Sequence, residues 1–548
     1  MAHDHHHGGS EQTAPATDGT FGTGLPVTAP SAHAWYALGM LTVVYVFNFV
    51  DRQILSILNE DIKADLGLTD AHMGFLFGTA FAVCYAIFGI PLGRLADVWV
   101  RKRIIALGIA FWSLMTALSG TARGFGSLAA YRTCVGVGEA SSGPAAISLL
   151  GDYFPPRLRA TAIAVYSSGV YLGMGLGMLL GGHVVARWKA AYPVAAAAPF
   201  ELAGWQVAFF AVGLPGILCA WWVARLTEPQ RGAGEGLPPP GATRAPLAVL
   251  GAELAAVVPP LTLLSLVRGG GRQALFANLA LATVCALAAW LLARAFGSPE
   301  QWIALSLGLY AFGSWLQGLR RRDPATFAMI FGCRTMMCAM PGFACCAFVT
   351  YAGGYWTAPY FLRVHGVDTA TAGTVLGLTA MVAGWLGVTL GGVASDWMKR
   401  HTPRARIHGG LITVLLAAPA GLVLFTTNSL PVAYVANFFF VLGSASWIGP
   451  AVALYNELVV PRMRATVSAI YILMGTFIGL ALGPFGVGRI STTLTAQGMA
   501  PGEALRIGLL CALGVYAVTV SCMLLAWPSV ARDEASRLAR ARALGEAV

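Results

Sequence analysis

The chain has 548 residues, 57% of them hydrophobic and only 11% charged, with a mean hydropathy of +0.68. Soluble domains are about a quarter charged, so this composition excludes a water-soluble globule and gives a polytopic membrane protein. The formal net charge of +11 does not indicate nucleic acid, because the basic residues lie mostly in short loops between apolar runs, where the positive-inside rule puts them.

Residues 1–30, which open MAHDHHHGGS and continue Gly/Pro/Thr-rich, read as a tag or His-rich tail without a signal-peptide pattern and stand outside the fold. Apolar runs of spanning length follow at about 35–58, 73–96, 104–121, 127–151, 160–186 and 205–226, and again at about 327–361, 371–395, 407–427, 431–457, 465–488 and 505–527. These are six helices in an N-terminal half, 31–227, and six in a C-terminal half, 326–530. The loops Arg101-Lys102-Arg103, Arg157/Arg159, Lys399-Arg400 and Arg462/Arg464, with the Arg-rich tail at 531–548, alternate with sparsely basic loops such as NEDIKADLGLTD. That alternation predicts a multi-pass inner-membrane protein with both termini cytoplasmic. The ten cysteines, among them Cys84, Cys134, Cys345 and Cys346, lie in apolar runs without metal-ligand spacing, so neither disulfides nor a metal are expected.

Between the halves, residues 228–325 hold a Gly/Pro-rich linker and further apolar runs at about 246–267, 273–296 and 301–318. Both halves keep their ends on the cytoplasmic side, so an even number of these runs crosses. Basic residues bracket the last two runs and the GSPE between them has none, which predicts an extra transmembrane hairpin. The first run, broken by Pro259-Pro260 and carrying Glu253, is expected along the cytoplasmic face.

An internal repeat sets the architecture. PRLRATAIAVY at 156–166 and PRMRATVSAIY at 461–471 are identical at seven of eleven positions, at an offset of 305 residues. GRLADVWVRK from Gly93 and GVASDWMKRH from Gly392 repeat a glycine, an acid four residues on and a base four beyond: Asp97 and Arg101, then Asp396 and Arg400. Two repeated six-helix halves describe an all-α transporter with a central site between halves that rock against each other.

The Gly-x-x-x-Asp loop after the second helix, echoed after the eighth, resembles the major facilitator superfamily, although Val98 and Val100 stand where its usual pattern has Arg and Gly. NFVDR in the first span, RKRIIALGIAFWSL in the third, YRTCVGVGEASSGPA in the fourth and TEPQRGAGE after the sixth resemble the spinster family of lipid transporters. The likeness covers most of 35–235, weakens through the C-terminal half and is absent from the insert. It implies proton coupling by Asp51 and Glu139, and substrate binding by Arg52 and its motif neighbour Asn48.

The residues carry their own argument for these positions. Intramembrane charges are costly and mark function by default. Aligning VGVGEASSGPA on FVLGSASWIGPA sets Glu139 on Ser444, so scaffold symmetry does not require that acid. Arg132, two helical turns earlier, is a counter-ion for Glu139 or an anion ligand. Asp51 and Arg52 are neighbours that diverge by about 100° on a helix, so each needs a partner of its own. An anion on Arg52 is expected to strip Asp51 of its counter-charge and favour its protonation.

Further expectations concern other spans. Tyr355, Trp356 and Tyr360 in YAGGYWTAPYF line the cavity from the seventh helix. Asp97, Arg101, Asp152, Arg159, Asp396, Arg400, Glu457 and Arg464 form a cytoplasmic gate when that side is closed. The glycines of GVYLGMGLGMLLGG allow close helix approach, and His183 in the same span is a secondary titratable group. The resulting expectation is a non-enzymatic, monomeric, proton-coupled transporter of an amphipathic lipid such as a lysophospholipid or a sphingosine-phosphate-like molecule. Its partners are substrate, protons and bilayer, and its only driving cofactor is the proton gradient. A proton-driven antiporter of drugs or small organic anions, or a transport-inactive receptor or sensor, are the alternatives.

Overall fold

The protein is described from a computed structural model over residues 29–194, 197–232, 245–258, 261–263 and 271–546. The His-rich head, the centre of the Gly/Pro linker and the Pro259-Pro260 break fall outside the described residues.

Fifteen helices carry the architecture. The first half holds α1 (Ala32–Ile57), α2 (Asp70–Val98), α3 (Arg101–Ser119), α4 (Phe125–Glu139 and Ser142–Tyr153), α5 (Pro156–Ala191) and α6 (Gly204–Ala224). The insert supplies α7 (Pro246–Val257), α8 (Gly271–Phe296) and α9 (Pro299–Arg322). The second half holds α10 (Arg334–Val364), α11 (Thr369–Lys399), α12 (Ala405–Thr426), α13 (Leu430–Glu457), α14 (Pro461–Ala496) and α15 (Pro501–Ala526). Twelve helices among the described residues are long and apolar enough to cross a membrane. We call the end where α1 begins and α15 ends the terminal face, and the opposite end the far face.

Local chemistry explains the irregularities. Pro144 and Pro450 lack the N–H that would bond the carbonyl four residues earlier, and both α4 and α13 break into turns at Ala140-Ser141 and Ser446-Trp447. The side chains of Ser141, Ser142 and Ser446 turn back to donate to the carbonyls of Gly138, Glu139 and Gly443 at 2.7–3.1 Å. The repeat therefore reproduces a mid-helix break, and Glu139 is the last residue before it.

Glycines decide the central packing. A Cβ on Gly173 would stand 2.4 Å from the Val46 carbonyl oxygen, so one face of α5 lies directly against α1. On its other face a Cβ on Gly175 would stand 2.3 Å from the Gly377 carbonyl of α11, across the boundary between halves. The glycine run thus brings three helices together, as close approach through small residues requires.

The insert departs in part from expectation. Its first helix, α7, does not lie along the membrane face but packs lengthwise on α2, with Val257 beside Ala86, Ile87 and Ile90 and Glu253 3.7 Å from Arg94. Val257 finds a buried apolar seat on α2, while Leu247 at the other end of α7 stays exposed. Helices α8 and α9 form an antiparallel pair pinned by a buried polar node: Asn278 donates to Ser314 at 2.8 Å and Gln317 at 3.0 Å and accepts from the Tyr310 hydroxyl at 2.7 Å.

Candidate functional site

The first-half charges meet at the middle of the bundle. Arg52 on α1 donates to Glu139 Oε2 at 2.7 Å, with both side chains nearly closed to solvent. Its guanidinium carbon also lies 4.1 Å over the Phe81 ring and 4.8 Å over Phe49, two contacts that suit a delocalised cation. Asp51, one residue earlier, points to α3 instead and accepts from Thr116 Oγ1 at 3.2 Å. Arg132 donates to the Asp51 backbone carbonyl at 3.2 Å. Asn48 is buried on α1 and flanks Glu139.

This geometry answers the question posed by adjacent charges, and it corrects one expectation. Neighbouring side chains diverge on a helix, so Arg52 pairs with Glu139 and is not the counter-charge of Asp51. One oxygen of each acid, Asp51 Oδ1 and Glu139 Oε1, meets no donor at hydrogen-bond geometry, and Nε and Nη2 of Arg132 meet no acceptor. Buried polar atoms are normally satisfied, and these four leave two acceptors and two donors with unused bonding capacity at the centre of the bundle.

Arg52 faces a cavity of about 230 Å³ lined by both halves: Phe49, Gln53, Phe77 and Tyr171 on one side, Tyr351, Trp447 and Tyr471 on the other. A side pocket of about 50 Å³ continues past Gln53 to Asn437 and Ser444. Ser444 is the repeat counterpart of Glu139, so the charge is confined to one wall.

The aromatic residues expected along α10 lie elsewhere. Tyr355 donates to Asn59 Oδ1 at 2.8 Å, Trp356 to the Pro484 carbonyl at 2.8 Å and Tyr360 to the Leu424 carbonyl at 3.3 Å, and all three are fully buried. The cavity ends at Gly354, because Gln53 and Ser56 of α1 bond the Gly354 and Tyr355 carbonyls at 2.7 and 2.6 Å and close the wall there. Tyr351, one turn earlier, takes the lining position. Tyr471 is the last letter shared by both copies of the internal repeat, and its partner Tyr166 stacks on Tyr45 at 4.3 Å.

Above that wall the halves are clamped. Arg363 at the end of α10 bonds Glu60 and Asp70 of the first half at 2.7–2.9 Å, Lys63 also reaches Asp70, and Ser491 of α14 donates to Asp70 at 2.6 Å. The sequence signal was an acidic loop, NEDIKADLGLTD, at the same end of the bundle as Arg363.

On the terminal face, by contrast, no ion pair among the described residues joins one half to the other. Arg101 binds Asp152 and, at 2.9 Å, Glu228; Arg406 binds Asp396 and Glu457, each at 2.7 Å; Lys399 binds Glu457 at 3.1 Å. Asp97 meets Arg94 at 2.9 Å, Arg159 bonds the Gly151 carbonyl at 2.9 Å, and Arg400 and Arg464 are exposed. The Asp97–Arg101 spacing is not a helical one, since the chain is extended at Trp99 and Val100 between α2 and α3. The molecule is closed at the far face and open at the terminal face. His183 on α5 lies 3.0 Å from Thr374 on α11, a structural tie between halves.

Comparison with known proteins agrees with this architecture. The model of the Major Facilitator Superfamily matches residues 41–484. An MFS-type efflux pump of Mycolicibacterium smegmatis is 27% identical over 507 residues, 91% of this chain and 94% of that protein. Protein spinster of Drosophila melanogaster is 24% identical over 84% of this chain and 62% of its own length. A probable galactarate/D-glucarate transporter of Bacillus subtilis is 32% identical, but over 38% of this chain and 44% of its own. The crystal structure of a bacterial homologue of the human lysosomal transporter Spinster, inward-facing and unoccupied, superposes with a TM-score of 0.67 at 26% identity, covering 92% of this chain and 98% of that one. A central cavity between repeated halves, a far-face clamp and these matches together establish that the chain belongs to the Major Facilitator Superfamily, as a transporter of the spinster type.

Proposed function

We propose that the protein is a proton-coupled secondary transporter of an amphipathic anion, of the lysophospholipid or sphingosine-phosphate-like class, working by alternating access. The observation that carries this reading is the cavity wall: a single arginine, already bound to a carboxylate, in a lining otherwise aromatic, aliphatic or weakly polar. Arg52 presents a fork suited to one phosphate or carboxylate. An arriving anion competes with Glu139 for that fork. Once displaced, the Glu139 carboxylate is buried without its hydrogen-bonded counter-ion, a state relieved by taking up a proton. Anion and proton binding are therefore linked with the same sign. Asp51, off the cavity and against Thr116, is a second proton carrier, and Arg132 is the positive charge between the two acids.

The orientation follows from the basic loops: the terminal face is cytoplasmic in an inner membrane, and its gate residues engage across the halves when that face closes. A hexarate is disfavoured, because its second carboxylate would meet no cation among the lining residues. A cavity of about 230 Å³ is smaller than most ligand pockets, which run from about 300 Å³, and holds a headgroup with the start of a tail. That volume also favours a second reading, an exporter of small organic monoanions. Uptake by proteoliposomes of a radiolabelled panel separates them: lysophospholipids, an aromatic monocarboxylate and a hexarate. Saturable lysophospholipid uptake that vanishes in Arg52→Ala is expected. Uptake of the monocarboxylate alone would give the second reading, and uptake of the hexarate alone would refute both.

A further inference from the structure

The two lateral seams between the halves are related by the internal repeat. Gly93 and Gly392 match α2 with α11, and the PRLRATAIAVY repeat matches α5 with α14, so the α2–α14 seam is the counterpart of the α11–α5 seam. Each seam is packed near the far face. At one, a Cβ on Gly78 would stand 2.3 Å from the Leu480 carbonyl; at the other, a Cβ on Gly182 would stand 2.6 Å from the Thr369 carbonyl. Toward the terminal face both pairs of helices part. Below the Tyr171–Gly384 contact, α5 and the 385–399 stretch of α11 barely touch, and Val165, Leu390 and Val393 stand exposed.

The insert removes that equivalence. Helices α7 and α9 occupy the parted α2–α14 seam, with Val257, Gly308, Ala311 and Phe312 set against Ala86, Ile87 and Ile90 of α2 and Leu473 and Phe477 of α14. The space left among them is about 10 Å³, no more than one water fills. Contact is close enough that a Cβ on Gly308 would lie 2.5 Å from the Phe477 ring and 3.4 Å from Val83. Gln301 fastens the helix to both halves at once: the Thr79 hydroxyl lies 2.6 Å from its Oε1 and 2.9 Å from the Ala481 carbonyl, which Gln301 Nε2 approaches at 3.4 Å. All of this junction is buried, where a lost polar partner is costly.

We propose that the inserted helices are a lateral seal: they close the α2–α14 seam to the bilayer in this state and leave the α5–α11 seam as the side opening through which a substrate's apolar tail reaches the lipid. The seal stands on packing alone. The tail's route rests on the reading given under Proposed function, and explains how a cavity sized for a headgroup serves a molecule with a long chain.

The test uses the full chain in liposomes containing a phosphatidylcholine with a diazirine near the end of one tail, with photolabelled segments located by mass spectrometry. In the unaltered protein, label is expected in segments 161–168 and 388–393 at several-fold the level in 86–90 and 470–474. Gly308→Trp, which forces α9 away from Phe477, is expected to raise label in 86–90 and 470–474 several-fold; should that variant not fold, Gln301→Leu loosens the same junction. Equal labelling of the two seams in the unaltered protein overturns the seal. A second arm uses a lysophospholipid with a tail diazirine. Label competed by unlabelled lysophospholipid at 161–168 and 388–393 supports the route, and competed label at 86–90 and 470–474 overturns it. If the seal pattern holds and no lysophospholipid label is competed at either seam, the lipid reading and its route fail while the seal stands.

Discussion

Arg52 is held by a carboxylate and by two aromatic faces, so its charge and its shape are both in use. Arg52→Lys keeps the charge and loses the fork, and should weaken substrate binding about tenfold, or ~1.4 kcal/mol. Arg52→Ala should abolish saturable binding; unchanged lysophospholipid affinity in Arg52→Ala would remove Arg52 from the site. The same variant takes from buried Glu139 the guanidinium it is hydrogen-bonded to, and breaking a buried pair from one side costs roughly 3–5 kcal/mol. Adding Glu139→Gln to Arg52→Ala should therefore recover thermal stability in detergent, and a double variant no more stable than Arg52→Ala would show that the pair is not coupled. Legibility at this scale was uneven. That Asp51 and Arg52 need separate partners follows from helix geometry, and Glu139 stood out because its repeat partner is Ser444. Which partner each charge takes did not follow, since it depends on the rotation of α1 against α3 and α4.

Helix ends decide which face is shut. Arg363 binds two carboxylates of the other half with its side chain almost closed to solvent, whereas Asp97 is exposed beside Arg94. Arg363→Ala should loosen the far face, seen as longer distances between spin labels on opposing far-face loops; an unchanged distribution would show that packing alone holds that face. Asp97→Asn should leave this terminal-open state intact and depopulate the terminal-closed one, read from labels on the terminal loops, and identical distributions in variant and parent would reject a gate role for Asp97. At the edge of the C-terminal half, Arg462 holds the Asp323 carboxyl down to about 2. A depressed acid stabilises the folded state above its ordinary titration near 3.9 and loses that contribution as pH falls toward 2. Asp323 is partly exposed and Arg462 more so, so screening keeps the effect small. Asp323→Asn should accordingly flatten stability against pH slightly, and only in the acid range between those values; a difference from the parent appearing above that range would assign the effect elsewhere. The aromatic stretch of α10 was misplaced by one turn, because the point at which α1 closes on α10 is a contact between halves that no single helix encodes.

Two repeated six-helix halves were readable because bilayer thickness imposes length and the repeat imposes symmetry. The insert was legible as apolar helices but not as a filler of the α2–α14 seam, since nothing in its own pattern names the surface it packs on. Symmetry also shows where function departs from scaffold. Charge sits on one wall and the inserted helices on one seam, so two related halves make a cavity with one binding side and one lateral opening. The central claim is that substrate and proton meet at the Arg52–Glu139 pair. It is tested most directly by adding lysophospholipid to proteoliposomes and recording lumenal pH and radiolabel uptake together, in the parent and in Glu139→Gln. The expected result is proton movement strictly tied to lysophospholipid in the parent, with binding retained, or tightened by the freed arginine, and proton movement lost in Glu139→Gln. Proton movement of parental size in Glu139→Gln, or lysophospholipid uptake in the parent with no proton movement, would contradict it.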